Sequence, residues 1–138
     1  MLIRVCMAKI HQAVVTETDL NYVGSITIDR NLLEASGIRP FQYVNITNLS
    51  NGVFWQTYAI EGEAGKGDIC LNGPPARHFQ RGDKIIIMAE AWLQPDEMEE
   101  LVPTVVFVDE KNQLVRTAKH HPSRSAIEAD IKSANSGR

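Results

Sequence analysis

Short apolar runs set the limits on what this chain can fold into. Leu2–Ala8, Val14–Thr16, Val23–Ile28, Tyr43–Asn48, Phe54–Ile60, Asp68–Leu71, Lys84–Ala89 and Thr104–Val108 are rich in Val, Ile, Thr and aromatic residues, and turn formers separate them. Such side chains fit a pleated surface, so the spacing predicts an all-β chain rolled into a small closed or nearly closed structure. Ser50-Asn51-Gly52 marks a hairpin, because Asn and Gly accept the positive φ of a tight turn. Asp109-Glu110-Lys111-Asn112, ahead of QLVRT, marks a weaker one. Two short helices interrupt the strands. Asp29 caps the first, with Leu32 and Leu33 turned inward and Gly37 as its stop. Gly73-Pro74-Pro75 opens the second and Gly82 closes it.

A chain of 138 residues has room for one domain. The reading assigns 1–119 to the folded body and 120–138, with Ser, Asn, Gly, charge and a weakly helical stretch at Ala126–Ala134, to a flexible C-terminal tail. Charge divides the same way. From Arg116 onward five basic residues face two acidic ones (+3), leaving nine against fifteen before it (−6). An acidic body argues against a nucleic-acid surface, which needs a dense basic face. No apolar run approaches the roughly 20 residues of a membrane span, and Arg4 and Lys9 interrupt any signal core in MLIRVCMAKIHQ. A cytoplasmic protein is expected, with Cys6 and Cys70 reduced inside apolar stretches.

Common site patterns fail. Gly65-Lys66-Gly67-Asp68 lacks the parts of a phosphate loop, and no HExxH, CxxC or GxSxG occurs. His120-His121 would point to opposite faces of an extended chain, so no metal site is expected there. What stays unexplained is a polar cluster of Lys9, His11, Tyr22, Gly24 and Ser25. Glycine at position 24 weakens a strand unless the backbone needs an unusual conformation or close approach. A serine after it can attack the preceding carbonyl carbon. The bland alternative is a β-bulge with an exposed serine.

Lys9-Ile10-His11, Asp19–Asp29 with Tyr22-Val23-Gly24-Ser25-Ile26-Thr27, Asn51-Gly52, Thr57-Tyr58-Ala59-Ile60, Asn72-Gly73, Gly82-Asp83, Ile85-Ile86-Ile87 and Arg116-Thr117-Ala118-Lys119 follow in order. Together they resemble the aspartate 1-decarboxylase family, the pyruvoyl-dependent enzymes that make β-alanine for pantothenate synthesis. The resemblance covers Met1 to Lys119. It implies a six-stranded double-psi β-barrel, a homotetramer, and a zymogen that cleaves itself between Gly24 and Ser25.

The resemblance also implies roles. Ser25 attacks the Gly24 carbonyl, Thr57 supports the oxyanion, and elimination followed by hydrolysis leaves a pyruvoyl group at position 25 as the cofactor. The substrate amine then forms a Schiff base with that ketone and the α-carboxylate leaves as carbon dioxide. Tyr58 is the proton donor. Asn72, Gly73, Pro74 and Pro75 hold the pyruvoyl amide and substrate, Thr57 joins them, Lys9 offers a cation, and His11 and Tyr22 line the cleavage region. Some members use an activating protein for cleavage, and such a partner is left open here.

One position breaks the pattern. The family places arginine directly after the hairpin, gripping a substrate carboxylate; this chain has Phe54. A ring cannot imitate that two-pronged grip. Three readings follow: Arg77 replaces it, the pocket takes a different amino acid against Phe54 and Trp55, or the barrel processes itself and decarboxylates poorly. An uncleaved barrel serving as a binding or scaffold module is the alternative from another class.

Overall fold

In the computed structural model, which describes residues 1–119 and 122–136, nine strands make one mixed sheet. They are β1 (Ile3–Val14), β2 (Glu17–Asp19), β3 (Ser25–Asp29), β4 (Tyr43–Asn48), β5 (Phe54–Gly62), β6 (Ile69–Asn72), β7 (Lys84–Leu93), β8 (Thr104–Val108) and β9 (Leu114–Lys119). Their spatial order is β2-β6-β3-β5-β4-β7-β1-β8-β9. The all-β expectation holds. The helices are α1 (Arg30–Ser36) and α2 (Arg124–Ser136).

Alternation along the strands builds the core. Ile10, Ile26, Ile28, Ile46, Ile69, Leu71, Ile85 and Ile87, from five strands, are fully buried together with Leu32 of α1 and Phe79. Burying such side chains contributes about 1.5–3 kcal/mol each before entropy is counted. Separated parts of the sheet are joined by Asn112, a buried turn residue in the left-handed region at φ 59. Its amide nitrogen donates to the Val14 and Gly67 carbonyls, both at 2.8 Å, and its oxygen accepts from Val14 N–H at 2.7 Å.

Asp29 caps α1 as expected, accepting from Asn31 N–H at 2.8 Å, and it also receives the N–H groups of Gly65 and Gly67. Gly37 ends the helix at φ 79. Both hairpins form: β4–β5 around Asn51-Gly52, and β8–β9 around Asn112.

Other elements differ from the sequence reading. The first expected run lengthens into one long β1 that takes in only Val14 of the second, and its polar residues are carried because β7 and β8 bond it on both sides; its ladder to β7 shifts register twice, with Gln12 at φ 56. The expected helix over 73–82 is a single 3-10 turn, Pro74–Arg77, because Phe79 is drawn completely into the core. β3 begins at Ser25, leaving Val23 exposed. The three-residue β2 was too short to show as an apolar run. In the tail, α2 is longer than its weakly helical stretch: Asp130 pairs with Arg116 at 3.4 Å, and Ala134 is buried against Val105, Phe107 and Ala118. His120-His121 lies outside the described residues.

Candidate active site

Ser25 is the first residue of β3 and stands opposite Asn72 of β6 in the antiparallel ladder. Both are buried, although neither is apolar. The Ser25 hydroxyl donates to the Val23 carbonyl at 2.9 Å, two residues back, and accepts from the Asn72 amide at 3.1 Å. The same amide reaches Thr27 Oγ1 at 3.0 Å. Two hydroxyls thus share one donor, and the serine oxygen is tied to the carbonyl of Val23.

Gly73 explains why the cleft is so tight. It adopts φ 80, ψ −146, a conformation open essentially to glycine alone. A β-carbon there would meet the Gly24 Cα at 2.8 Å, the Gly24 nitrogen at 3.1 Å and the Tyr22 carbonyl at 3.3 Å. Gly73 N–H donates to the Asp19 carbonyl at 2.7 Å, and Asn21 N–H caps the Asp19 side chain. The segment 19–24 is therefore pressed backbone to backbone onto the turn that follows β6. Pro74 borders Gly24, while Pro75 is buried beneath.

β5 supplies the opposite wall. Its parallel register with β3 pairs Ile26 with Ala59. Thr57 and Tyr58 precede Ala59 as Gly24 and Ser25 precede Ile26, so both pairs lie at the same end of the two parallel strands. Alternation turns buried Thr57 and half-buried Tyr58 to opposite faces. The Tyr58 ring lies between those of Phe41 and Tyr43, each 6.2 Å away between centroids.

Other sequence-named residues lie elsewhere. Lys9 and His11 face a separate cavity of about 150 Å³ with Val105 and Phe107, roofed by Ile127 and Ile131 of α2. The strand order separates their β1 from β3 by β5, β4 and β7. Tyr22 is exposed on the loop entering β3. Phe54 is 61% exposed at the start of β5. Arg77 is an exposed cation at the end of the turn that begins at Gly73. Asn48 and Asn51 anchor that turn by donating to the His78 carbonyl at 3.2 and 3.0 Å, and the His78 ring lies 5.9 Å from that of Trp55. Sequence reasoning did not single out Thr27, Asp19, Phe41 or Tyr43; only the first two had a signal, their place in the run Asp19–Asp29.

A buried hydroxyl with one polar donor beside a cradle that a β-carbon would fill suits a prosthetic group made from the chain itself. Among the described residues no three His, Cys, Asp or Glu side chains gather as a metal site, and no helix is long and apolar enough to cross a membrane.

Residues 1–115 match a family model described as Aspartate decarboxylase. Proteins named aspartate 1-decarboxylase are similar over most of their length. That of Caldicellulosiruptor saccharolyticus is 53% identical over 116 residues, covering 84% of this chain and 91% of the relative. That of Ruminiclostridium cellulolyticum is 47% identical over 128 residues, covering 93% and 100%. That of Clostridium acetobutylicum is 50% identical over 113 residues, covering 82% and 89%.

Proposed function

The chain belongs to the aspartate decarboxylase family, and we propose that it matures by cutting itself between Gly24 and Ser25 and then converts L-aspartate to β-alanine and carbon dioxide. It is a carboxy-lyase, and its product serves pantothenate biosynthesis. The observation that carries this reading is the buried Ser25 hydroxyl, hydrogen-bonded by Asn72 next to the point where Gly73 packs onto Gly24.

Processing begins when Ser25 Oγ adds to the Gly24 carbonyl carbon and gives up its proton. Thr57, at the same end of the β3–β5 pair as Gly24, donates to the resulting oxyanion; such a donor is worth about 10²–10³ in rate. The C–N bond breaks and an ester remains. Loss of the Ser25 Cα proton expels the Gly24 carboxylate, and water then releases the old amide nitrogen as ammonia, leaving a pyruvoyl group at position 25. That group supplies an electron-poor carbonyl, the electron sink for decarboxylation. Asn72 and the backbone of Gly73, Pro74 and Pro75 hold it and the substrate, with Thr57 beside them. Tyr58 donates a proton to the carbon that has lost its carboxylate.

Phe54 offers the second carboxylate of aspartate nothing, so the grip falls to Arg77, an exposed cation borne on the turn that touches Gly24. The relatives' shared name favours aspartate over another amino acid. Lys9 and His11, placed away from Ser25 within one chain, join the reaction across a contact between copies. That arrangement, with the exposed Phe41, Tyr43, Phe54 and Trp92, supports a homotetramer. The curled sheet is read as a six-stranded double-psi β-barrel with further strands at its margins. Two free thiols, both pushed above the usual cysteine range chiefly by burial, suit a cytoplasmic location. An activating protein would act on the exposed loop around Tyr22 and Val23.

Intact mass of the purified full chain after prolonged warming tests the reading. Two fragments meeting at Gly24 and Ser25, a hydrazine-reactive end group and carbon dioxide release from L-aspartate are expected, with Ser25→Ala remaining whole. One full-length chain without a ketone would make this a scaffold and end the assignment.

A further inference from the structure

We infer that Thr27 is a positioning residue that keeps the Asn72 amide in place once the serine at position 25 is consumed, and the inference rests on the reading of Ser25 as the source of the pyruvoyl group. Ser25 and Thr27 are alternate residues of β3, so their side chains share one face. Asn72 stands opposite Ser25 and Cys70 opposite Thr27, which makes Thr27 the diagonal neighbour of Asn72 across the β3–β6 ladder. The Asn72 amide nitrogen uses both neighbours, donating to Ser25 Oγ at 3.1 Å and to Thr27 Oγ1 at 3.0 Å. A side-chain amide has two hydrogens, one for each hydroxyl. Asn72 is only 4% exposed, so a hydrogen left without an acceptor is not repaid by water.

Maturation takes one acceptor away. Ser25 Oγ becomes the ester oxygen, and when its bond to Cβ breaks it departs in the Gly24 carboxylate. The ketone oxygen comes from water and is carried on Cα, a different atom in a different place. Thr27 takes part in none of the bonds that form or break. It is therefore the one acceptor that Asn72 keeps from the uncut chain to the mature enzyme. A β-branched side chain suits that task, because branching restricts χ1. Its methyl also packs against Gly62, where a β-carbon would lie 3.0 Å from it. The hydroxyl is thereby held toward Asn72, and both contacts lie within the β3–β6 ladder of one chain.

Thr27→Val keeps the shape and the branch and deletes the acceptor. In the full chain, intact mass should show cleavage within about twofold of the parental rate, because Ser25 still accepts from Asn72. The mature variant should then lose about three- to tenfold in kcat/KM for L-aspartate, the order of one neutral hydrogen bond. Thr27→Ser should restore most of it. A second readout needs no turnover. In mature protein labelled at asparagine nitrogen, the Asn72 side-chain signals, assigned by their loss in Asn72→Ala, should show a slowly exchanging hydrogen in the parent and none in Thr27→Val. Parental kcat/KM in Thr27→Val, cleavage slowed as much as turnover, a loss that Thr27→Ser leaves in place, or freely exchanging Asn72 hydrogens in the mature parent would each overturn the inference. A parent that stays whole would remove Ser25 as the source of the group and the inference with it, a result distinct from a parent that matures while Thr27→Val matches it.

Discussion

Gly73 and Gly24 meet backbone to backbone, and a β-carbon on Gly73 would lie 2.8 Å from the Gly24 Cα. That contact presses the Gly24 peptide against the turn after β6. It links the segment proposed to be cut with the segment proposed to hold the substrate.

Gly73→Ala should therefore block maturation more than folding. A side chain at φ 80 costs about 1–3 kcal/mol, and the clash must push segment 19–24 outward. Self-cleavage should slow at least about tenfold, since each 1.36 kcal/mol is worth a factor of ten. A time course of intact mass measures this; parental cleavage would show that the close approach is not needed.

Asn72→Ala removes the donor shared by Ser25 and Thr27. The buried Ser25 hydroxyl left short of a partner costs about 1–3 kcal/mol, and half-buried Thr27 less. Processing should slow, and in the unprocessed Ser25→Ala background, where only the contact to Thr27 remains to be lost, the thermal midpoint should still drop by a few degrees. Asn72→Asp, which cannot donate when ionised, should process as poorly as the alanine variant.

Arg77→Ala should leave cleavage intact and lower kcat/KM for L-aspartate about ten- to a hundredfold, the loss of a charge-assisted contact of about 1.5–3 kcal/mol. Arg77→Lys should recover only part, because a point charge lacks the guanidinium fork. An unchanged specificity constant in a fully processed Arg77→Ala sample would move the grip elsewhere.

Asn112→Gly keeps the left-handed φ but deletes three side-chain hydrogen bonds to Val14 and Gly67. Destabilisation of about 2–4 kcal/mol follows from groups left unpaired. Denaturant unfolding of the Ser25→Ala protein should show it; a midpoint equal to the parent's would mean that the joined ends of the sheet do not depend on this residue.

Stability should also fall in acid. The Glu90 carboxyl is held below the usual carboxylate range, first by its hydrogen bond from Arg4, with help from Asn45 and against some burial. Its folded value is depressed, so its contribution is complete above the unfolded value of about 4.3 and disappears as pH falls through the folded value. Asp83 behaves likewise: burial would raise it, but the Gln80 N–H, Asn48 and Ser50 outweigh that. Glu90→Gln should lower the midpoint at neutral pH and flatten the acid limb of the midpoint against pH; an unaltered limb would show that the pair is too solvated to matter.

Local signals located much of this molecule. Asp29 and Gly37 bracket α1 because a cap and a left-handed stop need only neighbouring residues, and Asn51-Gly52 sets its hairpin for the same reason. The aspartate decarboxylase resemblance likewise rested on ordered residues such as Gly24-Ser25 and Thr57-Tyr58. Where a distant partner decides, local reading stops short. β1 runs on through Lys9 and His11 because β7 and β8 flank it, and the turn at Pro74 cannot lengthen because the core takes Phe79.

By itself, the amino-acid order determined the all-β character, the first helix and the main hairpin, since each follows from propensity or from residues next to one another. Tertiary structure alone decided that Asn72 serves both Ser25 and Thr27, that Gly73 abuts Gly24, that Lys9 and His11 line a different cavity, and that Phe41 is strained beside Tyr58. These are pairings between strands far apart in the chain, and they exist only once burial of the shared core has chosen the register.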